Sequence, residues 1–414
     1  MREWPSTMNK DSTIGISGVS GGATAPRSFL AGGAGCGIKE AGRPDVGVLF
    51  SEAPCVAAAV FTRNAFKGAP LGVTREAVEG GGVRAVVANS GNANAATGRG
   101  GVEDARAMQR VAADALGIGA GEVAVASTGV IGERLPMGRV ERGIRDAAAS
   151  IGRDGAAFAR AILTTDTRAK EAAVEAEIGG TVVTVGGTAK GSGMIHPNMG
   201  TMLAFLTTDA AVKEECLQET LRRAAERTFN RVTVDGDTSP SDMALLLANG
   251  AAGNEPLTLE SPEYPAFAAA VEEVACALAK EIARDGEGAT RLLEVVVEGA
   301  ADEASAAALA RSVAGSNLVK AAVFGEDANW GRVLVAMGYS GAPFDPESAE
   351  LWFGPVKVFS GGEPVEHDVE KANAALAGEE VRITARLGEG TASATAWGCD
   401  LTYRYVEING SYRT

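Results

Sequence analysis

The chain has 414 residues, 46% of them apolar and 22% charged, the profile of a globular protein long enough for two or three domains. Acidic residues outnumber basic ones by 53 to 38, and the resulting net charge of −15 would repel a polyanionic partner such as a nucleic acid. The N-terminus lacks the apolar core of a signal peptide and no apolar run is long enough to span a membrane, so we expect a cytoplasmic protein without membrane contact.

Apolar periodicity along the chain predicts alternating strands and helices. In chain order we expect a strand at 84–88, a helix at 102–116, a strand at 122–126, a helix at 137–151, strands at 172–186 and 202–207, helices at 212–229 and 266–284, a strand at 292–298, a helix at 303–313, and strands at 380–386 and 400–407. Breaks of composition at 250–262 and 340–346 predict surface connections, the first of them between two domains. The interleaving indicates a mixed α and β protein with helices layered on sheets.

Histidine and cysteine are used too sparsely for the common metal and triad chemistries. His196 and His367 are the only histidines, and the five cysteines lie far apart, without the close pairs of zinc sites or redox dithiols. No glycine fingerprint of a nucleotide-binding loop stands between a strand and a helix. We therefore expect neither a metal nor a nucleotide cofactor, and no catalytic role for either histidine.

The stretch from Lys190 to Asp209, KGSGMIHPNMGTMLAFLTTD, carries the most chemical information. A loop rich in glycine and serine turns abruptly into an apolar strand, which puts Gly200 and Thr201 at the junction. Backbone strain collects at such junctions, and a strained Gly200-Thr201 peptide would be open to attack by the Thr201 hydroxyl. For an arbitrary Gly-Thr pair, a strand preceded by a tight loop is the commoner explanation, and composition alone does not decide between the two.

This stretch closely resembles the cleavage signature of the ornithine acetyltransferase family, whose members split into two chains immediately before the threonine. Further blocks resemble the family in the same order. They are SGNANAATG at 90–98, STGVIGERLP at 127–136, ILTTDT at 162–167, FNRVTVDGDTSPSDMALLLANG at 229–250, DGEGATRLLEV at 285–295, FGEDANWGRVL at 324–334 and the C-terminal YVEINGSYRT. Gly200 departs from the family, which more often has alanine there; the cleavage chemistry should not depend on that difference.

The resemblance implies an α+β fold, the αββα sandwich of ornithine acetyltransferases and N-terminal-nucleophile-like aminopeptidases, with a smaller C-terminal α/β domain. It implies an α chain of residues 1–200 and a β chain of residues 201–414, assembled as two copies of each. Within the β chain, about 201–255 would complete the catalytic sandwich and about 256–414 would form the C-terminal part.

The resemblance also implies acyl transfer through the hydroxyl of Thr201. A threonine hydroxyl needs a neighbouring base, and an N-terminal threonine supplies its own α-amine, whose ordinary pKa is about 7.7 to 8.0. Thr201 would take the acetyl group of N2-acetyl-L-ornithine, release ornithine and pass the acetyl group to L-glutamate in a ping-pong reaction. The oxyanion hole of the family matches Thr128, through its hydroxyl, and Gly129, through its backbone N–H. From the residues alone, a strand end followed by a turn is the simpler explanation of this pair.

Further positions match substrate contacts of the family. They are Thr165, with Thr164 as the alternative, Lys190, Thr201, Glu287, Asn409 and Thr414. Lys190 is a compact cation that suits an amino-acid carboxylate, and Glu287 would receive substrate ammonium groups or a proton. Asn409 and Thr414 stand near the end of the chain, so the tail would have to fold over the site instead of fraying. No cofactor is implied, and acetyl-CoA as a second acetyl donor stays open.

Other functions stay open as well. Self-processing aminopeptidases and amidases share the N-terminal nucleophile but transfer the acyl group to water, and fold alone does not separate them from an acetyltransferase. The C-terminal block YVEINGSYRT favours the acetyltransferase. A non-catalytic protein with a structural glycine-rich loop would remain one uncut chain. The primary arginine pathway is not separated from that of a secondary-metabolism paralogue.

Overall fold

The computed structural model describes residues 15–40, 42–196 and 202–411. The strands in these ranges are β1 Ile16–Gly18, β2 Phe29–Ala34, β3 Val46–Ser51, β4 Val56–Phe61, β5 Ala85–Asn92, β6 Val123–Val130, β7 Lys170–Ile178, β8 Thr181–Lys190, β9 Leu203–Thr208, β10 Met243–Ala248, β11 Leu292–Ala300, β12 Glu350–Phe353, β13 Val356–Ser360, β14 Glu363–Pro364, β15 Glu380–Arg386 and β16 Ala392–Cys399. The α-helices are α1 Ala69–Glu79, α2 Gly98–Leu116, α3 Met137–Ala149, α4 Ala156–Ala161, α5 Glu214–Arg227, α6 Tyr264–Arg284, α7 Glu303–Gly315, α8 Asn317–Phe324, α9 Trp330–Gly338, α10 Val369–Ala374 and α11 Tyr403–Ser411.

Two sheets packed face to face form the centre of the molecule. The first sheet has the strand order β1-β7-β8-β9-β10-β4, and the second has the order β2-β3-β5-β6. Side chains alternate along a strand, so each strand offers one face to the opposite sheet. Phe205 and Leu245 of the first sheet meet Phe29 and Ala126 of the second in one shared apolar core. Each sheet thus buries one face against the other sheet. Strands β9 and β10 are buried at every position, so their outer face must be covered as well.

Helices cover the outer face of each sheet. Helices α5 and α6 pack on the first sheet, and α2 and α3 pack on the second. Helix α6 places Phe267, Val271, Val274 and Leu278 on one face, at the spacing of an amphipathic helix, and buries them against the first sheet. The order helix, sheet, sheet, helix confirms the predicted αββα sandwich. Helix α6 therefore belongs to the core of the sandwich.

The first sheet combines strands from both sides of residue 200. Strands β9 and β10, which follow that position, lie side by side in parallel in the interior of the sheet. Strand β9 pairs antiparallel with β8, and β10 pairs antiparallel with β4. Both of these neighbours precede residue 200, so the two halves of the chain share one hydrogen-bonded sheet.

A third sheet, with the order β14-β13-β12-β15-β11-β16, forms the predicted smaller C-terminal α/β part. Alternate residues of β11, Leu293, Val295 and Val297, pack against helix α7 in a separate apolar core. Helix α7 begins after Asp302, whose side chain accepts a hydrogen bond from the backbone N–H of Ser305. Leu292, Trp397 and Cys399 instead join the core of the sandwich, so the two parts are in contact.

Two predicted elements differ from the structure. The predicted strand at 172–186 is a hairpin of β7 and β8, because Gly179 and Gly180 both have positive φ and form the turn. The predicted strand at 400–407 is wrong: β16 ends at Cys399, and helix α11 begins at Tyr403. The alternating aromatic residues favour a strand, but the Thr402 hydroxyl accepts a hydrogen bond from the backbone N–H of Arg404 and starts a turn.

Candidate active site

A cavity of about 170 Å³ lies where the ends of β6 and β8 meet several loops and helix α11. The predicted site residues that line it are Thr128, Gly129, Thr165, Lys190, Glu287 and Asn409. Thr164 lines it too, so the structure does not choose between the two neighbouring threonines. Gly200, Thr201 and Thr414 lie outside the described residues. All the other predicted site residues therefore come together in one place, although they are widely separated in the chain.

Strand β6 carries Thr128 and Gly129 to the cavity wall. Thr128 is buried, whereas Gly129 has a φ of 131°, a conformation that only glycine adopts readily. A Cβ atom at position 129 would lie 2.3 Å from the carbonyl carbon of Gly91 on the parallel strand β5. The register between the two strands shifts at this point. No side chain fits at position 129. The absence of a side chain allows the backbones of β5 and β6 to approach each other closely beside the cavity.

Asp166 joins Lys190 to the loop that holds the two threonines. Its buried carboxylate accepts hydrogen bonds from the backbone N–H of Thr164 at 3.1 Å and of Gly191 at 2.7 Å, and lies 3.7 Å from the Lys190 Nζ. Burial alone would raise the pKa of Asp166. The charges of Lys190 and Lys170, with a hydrogen bond from Lys170, nevertheless hold that pKa well below its usual range. Asp166 is therefore ionised and fixes two walls of the cavity.

Lys170 balances the charge behind Lys190. Its side chain is fully buried, and its Nζ donates to Asp166 Oδ1 at 2.7 Å and to Asp285 Oδ2 at 2.5 Å. Asp285 also accepts a hydrogen bond from the backbone N–H of Thr167 at 3.1 Å. A buried charge is tolerated only when it is paired in this way. Lys170 divides its charge between two carboxylates, and Lys190 stays 3.7 Å from Asp166, beyond hydrogen-bond distance, on the wall of the cavity.

The carboxyl group of Glu287 lines the cavity and packs directly against Gly193. A Cβ atom at Gly193 would lie 2.3 Å from the Glu287 carboxyl carbon, so a larger residue there would push the carboxyl group away. The backbone N–H of Glu287 donates to the Ser192 carbonyl at 2.9 Å, and the Ser192 hydroxyl donates to the Asp285 carbonyl at 2.6 Å. Asn409 Nδ2 on helix α11 donates to Glu287 Oε2 at 2.7 Å. The C-terminal helix is thereby tied directly to the cavity.

Asp235 fixes the backbone ahead of the predicted cleavage position. Its carboxylate accepts hydrogen bonds from the backbone N–H of Met194 at 2.6 Å and of Ile195 at 2.9 Å. Met194 has a φ of 56°, a left-handed conformation that costs a non-glycine residue about 1 to 3 kcal/mol. Burial raises the pKa of Asp235, while the two amide hydrogen bonds oppose the rise. The loop that leads toward Gly200 therefore contains a strained residue that a side chain holds in place.

Asp242 holds the backbone on the other side of the same position. It is fully buried, and its Oδ1 accepts a hydrogen bond from the backbone N–H of Met202 at 2.8 Å. The Met202 carbonyl accepts one from the backbone N–H of Met243 at 3.1 Å. Burial raises the pKa of Asp242 well above its usual value, although the Met202 amide, the Lys190 charge and a hydrogen bond with the Thr62 side chain oppose the rise. The shift is in the direction that favours the neutral form of Asp242.

Five of these charged residues were not expected from the sequence. They are Asp166, Lys170, Asp235, Asp242 and Asp285. All except Lys170 lie inside the sequence blocks that resemble the family. That position in the sequence was the feature that could have identified them as site residues. A carboxylate beside glycine or serine ordinarily indicates an exposed turn, so composition gave no reason to expect burial.

Neither histidine lines the cavity. His196 Nδ1 lies 3.2 Å from the Thr233 hydroxyl, and burial followed by the charge of Arg311 lowers the pKa of this histidine. His367 Nδ1 contacts the Val365 carbonyl at 2.7 Å. Over residues 15–40, 42–196 and 202–411, no three side chains of histidine, cysteine, aspartate or glutamate are grouped as a metal site, and no helix is long and apolar enough to cross a membrane.

Comparison with known proteins identifies the family. The sequence model of the ArgJ family matches residues 30–414. The arginine biosynthesis bifunctional protein ArgJ of Symbiobacterium thermophilum is 59% identical over 399 residues, which cover 96% of this chain and 99% of that protein. The protein of the same name from Bacillus subtilis is 48% identical, over 96% of this chain and 97% of that protein. The crystal structure of a Bacillus halodurans ArgJ chain is 47% identical with a TM-score of 0.50, and covers 51% of this chain and 100% of that one. With a match along almost its whole length, the chain belongs to the ArgJ family of acetyltransferases in arginine biosynthesis.

Proposed function

We propose that this enzyme cuts itself before Thr201 and then moves the acetyl group of N2-acetyl-L-ornithine to L-glutamate in the cytoplasm, through an acetyl ester of Thr201. The observation that carries this proposal is the meeting of Thr128, Gly129, Lys190 and Glu287 at one cavity. These residues offer hydrogen-bond donors, a cation and a carboxylate, the groups that an acyl transfer between amino acids requires.

The charged residues of the cavity suit amino-acid substrates, which carry both a carboxylate and an ammonium group. Lys190, whose neighbour Asp166 is already paired with Lys170, is placed to bind an α-carboxylate. Glu287 supplies a carboxylate that can receive an ammonium group or a proton. The donor and the acceptor amino acids share the α-carboxylate, so one lysine can serve both halves of a ping-pong reaction.

The backbone on either side of the Gly200-Thr201 junction supports self-cleavage. Met194, upstream, is held by Asp235 in a left-handed conformation, and Met202, downstream, is held by Asp242. In the cleavage, the Thr201 hydroxyl bonds to the Gly200 carbonyl carbon, the carbon–nitrogen bond breaks, and the hydroxyl proton passes to the leaving nitrogen. Water then hydrolyses the ester, which leaves a carboxylate on Gly200 and frees the Thr201 hydroxyl beside the α-amine released in the first step.

The alignment with the Bacillus halodurans structure agrees with two chains of similar length. That solved chain is matched in full but spans only 51% of this one. We propose an assembly of two α chains, residues 1–200, and two β chains, residues 201–414. The relatives are named bifunctional, so acetyl-CoA is the second acetyl donor to be tested.

Three measurements on the purified protein test the proposal. A denaturing gel with N-terminal sequencing should give two fragments, the second beginning TMLAF. Incubation with N2-acetyl-L-ornithine in the absence of glutamate should add one acetyl group to the second fragment by mass spectrometry, and glutamate should remove it. Thr201→Ala should stay uncut and inactive. A cut chain that hydrolyses its substrates to free acetate instead of acetylating glutamate would indicate an amidase.

A further inference from the structure

We propose that Asp242 is a positioning residue for the nucleophile: its buried carboxyl group holds the amide of Met202 and so fixes the residue that follows Thr201, before and after the cut. This inference rests on the proposed self-cleavage. Asp242 stands outside the predicted set of oxyanion and substrate-binding residues, so it adds a role that those residues do not have.

Three chain segments meet at Asp242. Its side chain accepts the Met202 N–H, its carbonyl accepts the N–H of Thr62 at 3.0 Å, and the next residue, Met243, donates to the Met202 carbonyl. Leu203 and Met243 are then the first paired residues of the parallel strands β9 and β10. Met202 is thus held at its amide and at its carbonyl. After a cut before Thr201, the new N-terminal residue would be covalently joined to Met202 only, so holding Met202 in place restricts where the nucleophile can lie.

The second oxygen of Asp242 is completely buried and makes no well-formed hydrogen bond with the described residues, although the Thr62 side chain interacts with this carboxyl group and lowers its pKa. A buried polar atom without a hydrogen bond costs about 1 to 3 kcal/mol and is uncommon in native proteins. Its presence at this position therefore suggests a functional role for Asp242. A neutral carboxyl group both donates and accepts, whereas a carboxylate only accepts. Burial raises the pKa of Asp242 well above its usual value and so favours the neutral form, which has that donor.

Asp209 provides a matched control at the opposite end of β9. It is also completely buried, and burial raises its pKa as well. Its Oδ1 accepts a hydrogen bond from the backbone N–H of Thr184 at 2.8 Å, and its Oδ2 lies 3.7 Å from the Arg27 guanidinium, so both oxygens have partners. A loss that arises from any buried carboxyl group of this sheet would appear in an Asp209 variant too.

The experiment compares Asp242→Ala, Asp242→Asn and Asp209→Asn with the parent chain. Each is made by pulse-labelled cell-free synthesis, and conversion of the full-length chain into two fragments is followed on denaturing gels. Melting temperature, and kcat and KM of the cut fraction, are measured on purified protein. Asparagine has the shape of a neutral carboxyl group and can also donate and accept. We expect Asp242→Asn to cleave at close to the parent rate, and Asp242→Ala to cleave about 10- to 100-fold more slowly, with a lower kcat and little change in KM.

Several outcomes would overturn the inference. These are a parent-like cleavage rate in a folded Asp242→Ala, an equal slowing in Asp209→Asn, or a tenfold or greater loss in a folded Asp242→Asn, since the last would require the ionised form. If Asp242→Ala does not fold, Asp242→Asn decides alone: parent-like cleavage supports a neutral hydrogen-bonding group and slow cleavage refutes it. A parent chain that stays uncut would instead refute the proposed function.

Discussion

Replacing Lys170 with methionine should destabilise the fold and weaken substrate binding together. Lys170→Met keeps the length of the side chain but removes the cation that lies between Asp166 and Asp285. Removal of one partner from a buried ion pair typically costs about 3 to 5 kcal/mol, because the other charge stays buried. Asp166 would then turn to its remaining cation, Lys190, and compete with the substrate carboxylate. We expect KM for both amino acids to rise more than kcat falls.

Urea unfolding followed by fluorescence, with parallel steady-state kinetics, measures both effects. Lys170→Met/Asp166→Asn is the matched control, since it removes one negative charge with the positive one and should regain part of the stability and of the affinity. Loss of less than about 1 kcal/mol in Lys170→Met, the size of an exposed pair, would refute the structural role of the network. An unchanged KM in a destabilised variant would refute its link to Lys190.

The same network gives a pH dependence with a definite sign. The folded pKa of Asp166 lies below its unfolded value, so its contribution to stability is fully present above the unfolded pKa of about 3.9 and is lost as the pH falls toward the folded pKa. Acid unfolding of the parent chain should therefore lose this contribution below about pH 4, whereas Lys170→Met should show a smaller loss there. Identical acid profiles for the two proteins would contradict the assignment.

The remaining predictions concern the cavity wall and its surroundings. Thr128→Ala should lower kcat by about 10² to 10³ with little change in KM, and a rise in KM alone would make Thr128 a binding residue instead of an oxyanion donor. Gly129→Ala should lower the melting temperature and abolish transfer because no Cβ atom fits there, while Gly138→Ala, which meets open space in helix α3, should do neither. Deletion of 409–414 should leave the gel pattern of the cut intact but should collapse acetyl transfer, and full transfer activity would show an ordinary frayed tail. Lys39, whose pKa is lowered to about 8 by burial and by Arg43, should be modified at pH 8 ahead of most lysines by an amine-acylating reagent, as peptide mapping would reveal.

Local periodicity was sufficient for the layers of the fold but not for the chemistry of the site. Helix α6 was predicted at 266–284 because its apolar residues follow helical spacing, and strand β15 was predicted with its observed bounds. Helix α11 was missed because the hydroxyl of Thr402, and not the residues of the helix, starts it. In the site, Thr128 and Lys190 were found through resemblance to family blocks. The partners of Lys170 were not, because the burial of a lysine between carboxylates 4 and 115 positions away depends on the whole fold.

The shared first sheet has a consequence for what a cut before Thr201 can do. Strands β9 and β10 lie between β8 and β4. Two strands of the later half of the chain are therefore hydrogen-bonded on both sides to strands of the earlier half. Withdrawing either fragment would break two complete strand ladders and open the common core with Phe205 and Leu245. The cut would therefore leave one folded molecule: the two fragments should copurify through native chromatography and separate only in denaturant, since β9 and β10 would have to leave β8 on one side and β4 on the other.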